Sequence, residues 1–256
     1  MAENVEVLIL AGGTLPEDLR KYSSGYDNRA LLKIGDKYMI EYVIDALRGA
    51  PGVGGIHVIG MKEALEKTLA GRMNEVLEAT DSMLDNLKIG VDKFEGVERL
   101  LICTCDIPLI DSAMVGRFLE TCKTIPGDLY YPIVEKNLND KAYPETKRTY
   151  AKLKEGVFTG GNIVLLNPAM FKKNWAYIER AIAARKSPLK LLSIIGFGFI
   201  IKFIMKSLTL PMLEAKVEQI LGIKAKAVQV QDPEIGIDVD KESDFLLCKK
   251  MLEAGK

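Results

Sequence analysis

The chain has 256 residues, 48% of them hydrophobic and 27% charged, with 35 Lys and Arg against 35 Asp and Glu. Such a composition excludes collagen-like, disordered and disulfide-scaffold classes, and a formal charge of zero gives no general attraction to nucleic acid. At roughly 150 residues per domain the length fits one large or two small domains with enough core to fold without staples.

Cys103, Cys105, Cys122 and Cys248 lack the paired spacing of a zinc site, so reduced thiols and a cytoplasmic setting are expected. The N-terminal stretch shows no signal-peptide pattern.

In chain order, the apolar run Val5 to Leu10 stops at Ala11-Gly12-Gly13 and predicts a buried strand feeding a glycine turn. Met39, Ile40, Val43, Ile44 and Leu47 fall at helical spacing within Tyr38 to Leu47. Strands then follow at Ile56 to Ile59, near Glu75 to Leu77, at Leu100 to Cys105 and at Leu129 to Val134. Helices alternate with them at Lys62 to Ala70, Ser82 to Phe94 and Asp111 to Thr124. This alternation predicts an α/β protein: three layers, with a mostly parallel sheet covered on both faces.

After about Glu135 the rhythm changes. Strands are expected at Thr149 to Leu153 and Phe158 to Leu166, helices from Ala169 to Leu221, a strand at Ala227 to Val230 and a closing helix from Glu242 to Leu252. The expected organisation is a single domain, 1–256, with a core of 1–134 and 226–256 and an inserted α+β lobe, 135–225, that caps the sheet's ligand edge.

Ligands of open parallel sheets sit beyond the carboxyl ends of the strands. Ala11-Gly12-Gly13 there would let backbone N–H groups approach phosphate oxygens, although tight turns of this kind are also purely structural. Asp106 ends an apolar strand and must be solvated, paired or metal-bound, unless it is a turn or capping residue. Of Asp238 and Asp240, at most one is expected to join it; two converging carboxylates suit Mg²⁺ with substrate phosphates.

His57 lies within a strand and is expected to be structural. Cys103 and Cys105 share one strand face as buried small side chains. Lys147, Arg148, Thr149 and Lys152 could face an anionic acceptor, with a solvated charged strand the favoured account.

Leu10-Ala11-Gly12-Gly13, the stretch Arg29 to Leu47, Cys105-Asp106-Ile107-Pro108 and Val239-Asp240-Lys241-Glu242-Ser243-Asp244-Phe245 together resemble the MobA-like nucleotidyltransferases, in the same order over nearly the whole chain. The resemblance implies a GT-A-type, Rossmann-like fold and an enzyme that transfers an NMP group from an NTP to a phosphorylated small-molecule acceptor (sugar-, polyol- or cofactor-phosphate), releasing pyrophosphate. It implies that the core binds the nucleotide and the lobe lies on the acceptor side. It also implies that Asp106 and Asp240 hold Mg²⁺, that Leu10, Ala11, Gly12 and Gly13 cradle the nucleotide, and that Ser82, also readable as an N-cap, contacts it. Asn162 in Thr159-Gly160-Gly161-Asn162 would line the acceptor site, where a strand-edge turn is an equal reading.

The family's second loop glycine is replaced by Thr14-Leu15-Pro16, and Arg29 stands where the family has a phosphate-binding Lys, so Arg20 and Lys21 could supply further charge. These departures support an alternative, a non-catalytic nucleotide-binding descendant.

Between Lys172 and Lys206 the sequence carries eight Lys or Arg and one acid, Glu179, around the uncharged run Leu191 to Ile201. That run is shorter than the roughly 20 residues of a membrane span. A buried core helix of the lobe is the favoured expectation for 186–206. The alternatives are a peripheral membrane contact, with a lipid-linked phosphate acceptor, and a homo-oligomer interface.

Overall fold

The computed structural model describes residues 4–184 and 187–254. Val5–Ala11 (β1) leads into a long segment with two 3-10 turns, Glu17–Tyr22 and Arg29–Leu31, and a hairpin of Lys33–Ile34 (β2) and Lys37–Tyr38 (β3). Met39–Gly49 (α1) returns the chain to Val53–Gly60 (β4), Lys62–Thr68 (α2) to Glu75–Glu78 (β5), and Met83–Lys93 (α3) to Leu100–Thr104 (β6).

Ser112–Thr124 (α4) precedes Leu129–Glu135 (β7), and Lys136–Ala142 (α5) follows it directly. Next come Ala151–Lys152 (β8), Val157–Gly160 (β9) and Ile163–Leu166 (β10). Five helices follow: Pro168–Lys172 (α6), Trp175–Ala184 (α7), Pro188–Ile195 (α8), Phe197–Ile204 (α9) and Leu210–Leu221 (α10). Ala225–Val230 (β11) and Glu242–Ala254 (α11) close the fold.

The nine-stranded sheet runs β5-β4-β1-β6-β10-β7, with β11 parallel to β7 and the antiparallel β9 and β8 continuing from its C-terminal half. Strands β5, β4, β1, β6, β7 and β11 share one direction, and β10 reverses it between β6 and β7. The sheet is therefore mixed and mostly parallel, with helices on both faces.

Alternation along β1 explains the layers: Val7 and Ile9 enter the larger apolar cluster with Ile40, Val43 and Phe118 from α1 and α4. Leu8 enters the opposite cluster with Leu87 and Val91 of α3 and Phe171 of α6. A third cluster, joining Leu15, Leu19, Leu32 and Ile34 to Ile237, Val239 and Phe245, fastens the loop after β1 to the chain's C-terminal part.

Two expectations are revised. The run Phe158 to Leu166 is two strands rather than one, because a Cβ at Gly161 would stand 2.7 Å from Ile235 and 3.0 Å from Pro132, and the chain jogs there. The apolar run within 186–206 is not one buried helix. Gly196 takes φ +128°, open to glycine but rarely to L side chains, and splits it into α8 and α9. Helix α9 contributes no buried residue. Lys186 lies outside the described residues, and no described helix is long and apolar enough to cross a membrane.

Gly60 pairs with Ala11 where β4 runs beside β1, and a Cβ there would lie 2.5 Å from Leu65 Cδ1 and 3.1 Å from the Ala11 carbonyl. Gly60→Ala is expected to cost about 1–3 kcal/mol by overpacking, read as a lower urea midpoint at unchanged m-value.

Candidate active site

Asp106 follows β6, near the middle of the sheet's carboxyl edge. Ile237 and Val239, 1% and 0% exposed, sink into the third cluster and leave the alternating Asp238 and Asp240 on the other side of the chain. The Val239 amide donates to the Asp106 carbonyl at 2.9 Å, which ties the two acidic segments together.

One carboxylate oxygen each of Asp106, Asp238 and Asp240 lies within 4.8 Å of the others. The expectation that only one of Asp238 and Asp240 joins Asp106 is thus corrected, since residues two apart in extended chain share a side.

Two arginines offset this charge. Arg29 Nη1 donates to Asp106 Oδ2 at 2.7 Å and to Asp240 Oδ1 at 2.9 Å, and Arg148 pairs with Asp238. Burial works against the Arg29 charge, but Asp106 and Asp240 outweigh it and its guanidinium holds its proton more firmly than usual. Burial, with help from Asp106 and Asp240, pushes the Asp238 carboxyl up from the ordinary carboxylate range, against the pull of Arg148.

The loop after β1 carries Arg29 to this point. Asn28 is buried; its Nδ2 donates to the Ala11 carbonyl at 2.9 Å and its Oδ1 accepts from the Ala30 amide at 2.9 Å. The Arg29 amide donates to the Gly13 carbonyl at 3.2 Å. Gly12 is pressed against the start of α3: a Cβ there would stand 2.7 Å from Asn86 Nδ2 and 3.0 Å from the Ala79 Cβ, whereas a Cβ at Gly13 would meet open space. Leu10, the first of the predicted loop residues, accepts from the Cys105 amide at 3.2 Å and so locks β1 to β6 beside Asp106.

Ser82 caps α3 by accepting from the Asp85 amide, beside the Thr80 and Asn86 hydrogen bonds that shape this turn. Asn162, in the jog between β9 and β10, bridges Thr104 and Ile235 through its backbone and lines a groove shared with Asp238 and Asp240. Arg20 is half exposed and pairs with Glu17 and Asp27, not with the carboxylates. Lys147, Arg148 and Thr149 border the same groove, Lys147 and Thr149 exposed to solvent and Arg148 partly buried against Asp238. Only Ala151–Lys152 of the expected strand there is extended.

Asn28, Asn86 and the role of Asp238 were not singled out from sequence; for Asn28 the one available signal was a polar residue directly before Arg29. His57 lies in β4, where its Nε2 sits 3.0 Å from Glu6 Oε2, its ring packs edge-on against Phe94 and its Nδ1 is buried with no hydrogen-bond partner. The four cysteines are free and buried, and burial pushes the Cys122 thiol up to about 12.

The cluster suits a divalent cation. Asp106 Oδ1 is buried with no hydrogen-bond partner, and hard oxygen donors of this kind favour Mg²⁺ over softer metals.

Among solved structures, a hypothetical transferase from Thermus thermophilus is 34% identical, with TM-score 0.81 over 94% of this chain and 99% of the other. A nucleotidyl transferase from Methanothermobacter is 17% identical, TM-score 0.61, over 99% of both chains. The 2-C-methyl-D-erythritol 4-phosphate cytidylyltransferase of Thermus thermophilus is 14% identical, TM-score 0.57, over 98% of this chain and 99% of the other. A comparison with curated protein sequences finds no match.

The mixed sheet, flanked by helices on both faces, is thus the nucleotidyltransferase fold. The model of the MobA-like NTP transferase domain matches residues 7–192, and the chain belongs to that family of nucleotidyltransferases.

Asn28→Ala leaves the Ala11 carbonyl and Ala30 amide without their partner. The variant is expected to lose roughly 1–3 kcal/mol of stability, measured by urea unfolding, and to show faster amide exchange at Ala30.

Proposed function

We propose that the protein is a cytoplasmic, Mg²⁺-dependent nucleotidyltransferase that moves an NMP group from an NTP to a phosphorylated small-molecule acceptor and releases pyrophosphate. The observation that carries this reading is the carboxylate trio at the sheet's carboxyl edge, with an unpartnered buried oxygen on Asp106 and two arginines against it.

Asp106 and Asp240, with Asp238 beside them, would hold the metal, whose contribution is to neutralise charge on the α-phosphate and the attacking phosphate. The sheet order supports separate places for the two substrates: the β1 loop and the start of α3 lie to one side of Asp106, and the groove over β7 and β9 to the other. Backbone groups of Leu10 to Gly13 and the N-terminal end of α3 at Ser82 suit the nucleotide. Arg29 reaches between Asp106 and Asp240, where it can pass its guanidinium to phosphate oxygens. Lys147 and Arg148, with Asn162 across the groove, suit the acceptor's phosphate.

The acceptor phosphate is already ionised, so the residues are needed for position and charge rather than for proton transfer. The reaction is an in-line displacement at the α-phosphorus. The family match and the named cytidylyltransferase support the reading; the base, the acceptor and the metal are its proposed parts.

A thermal-shift screen against CTP, GTP, UTP, ATP and dTTP, each with and without Mg²⁺, tests it. One NTP at a hundred times its Kd is expected to add about 2.7 kcal/mol, and the metal-dependent part should vanish in Asp106→Ala and Asp240→Ala. Equal nucleotide affinity in those variants would refute the metal assignment, and no shift with any NTP would make the protein a non-catalytic descendant of the fold.

A further inference from the structure

The groove beyond the carboxylates is about 670 Å³; along α10 and β11 it holds the Glu214–Lys226 ion pair, closed on itself at 2.7 Å, and its remaining charged residues gather at one end. Asp238, Asp240, Lys147 and Arg148 stand at that end, and Lys147 has no acidic partner among the described residues. From there the floor is Tyr131 and Ile133 of β7, and the far wall is Leu191 of α8 with Leu213 and Val217 of α10. Gly160 makes room for the floor, because a Cβ there would stand 2.0 Å from the Tyr131 hydroxyl. A sugar or polyol laid along these residues would leave its hydroxyls facing hydrocarbon, at a cost for each one left unpaired. A hydrocarbon chain would not.

The helix that joins α8 to α10 points the same way. Helix α9 runs between α8 and α10; it exposes Phe197 (73%) and Ile204 (67%), and Met205 (71%), which caps it, is exposed beside them. Single exposed apolar residues need no explanation, but a group of them on one short helix does. Lys190, Lys202 and Lys206 are exposed around it, and the sequence has no Asp or Glu between Glu179 and Glu214. An apolar face with Lys190, Lys202 and Lys206 exposed around it, and with Glu155 the acid that meets the chain beyond it at Leu210, is complementary to an anionic lipid surface.

We propose that the phosphorylated acceptor is an amphiphile, its phosphate against Lys147 and Arg148 and its hydrocarbon chain in the groove, drawn from an anionic lipid surface on which α9 rests. The proposal rests on the nucleotidyl-transfer reading for the phosphate end. The acceptor's phosphate oxygen forms a bond to the α-phosphorus, and the bond from that phosphorus to the bridging oxygen of the leaving pyrophosphate breaks. Pyrophosphate departs with the electron pair and no redox partner is required.

Octyl phosphate, below its micellar concentration, and methyl phosphate are titrated into the whole chain. Octyl phosphate is expected to bind at least tenfold more tightly, and Val217→Asp and Leu213→Asp, each checked for native circular dichroism, should remove the difference. Equal affinities, or an octyl preference untouched by both variants, would overturn the proposal. The NTP-dependent thermal shift is read on the same samples. Its absence from the wild type sinks the transfer reading, whereas a retained shift without chain-length preference sinks the amphiphile alone.

In a second arm, vesicles of phosphatidylcholine with phosphatidylglycerol should co-sediment the protein at low salt, and the double variant Phe197→Asp/Ile204→Asp should stay in the supernatant. No co-sedimentation of the wild type, or self-association abolished by the same double variant, would assign the α9 face to something other than a lipid surface.

Discussion

Three carboxylates within 4.8 Å of one another are the constraint around which this molecule is organised. Like charges about 4 Å apart repel by about 4 kcal/mol at an effective dielectric near 20, so the cluster persists only because countercharge is delivered to it. Arg29 answers Asp106 and Asp240, and Arg148 answers Asp238. Delivering those side chains explains otherwise unrelated features: the buried Asn28 that fixes the loop, the apolar pair Ile237 and Val239 that anchors the acidic strip, and the amide bridge from Val239 to Asp106.

The sheet supplies the frame on which these parts meet. Parallel β1 and β6 end side by side, so Gly12, Gly13 and Asp106 arrive at one edge without any side-chain interaction between them. The antiparallel β10 widens the sheet between β6 and β7, which sets the groove over β7 and β9 apart from the glycine turn. Two substrates can therefore approach one cluster from opposite sides.

Much of this was legible in the sequence, for identifiable reasons. Buried parallel strands are short apolar runs closed by turn signals, and β1 and β4 announce themselves by the glycines at their ends and β6 by Asp106-Ile107-Pro108. Asp106 was visible because a carboxylate closing such a run needs a partner. Helix α5 was not visible, since Lys136–Ala142 buries only Asn139 and has no apolar period to detect. Nor was the break in Phe158 to Leu166, which depends on Pro132 and Ile235 crowding Gly161 from distant parts of the chain. The pairing of Arg148 with Asp238 spans 90 residues and has no local signature. The run at 191–201 misled because apolar composition reports a wish for burial and says nothing of whether a neighbour is there to provide it.

Arg29 and Asp240 are separated by 211 residues. Their contact makes the site depend on sequence synthesised late: a nascent polypeptide that has reached residue 192, where the family match ends, holds one carboxylate of the three. Arg29 can neutralise Asp106 in such a fragment, but the strip that bears Asp238 and Asp240 does not yet exist. The carboxylate cluster is thus complete only once that strip has left the ribosome, and a chain terminated before it carries much of the sheet without the cluster.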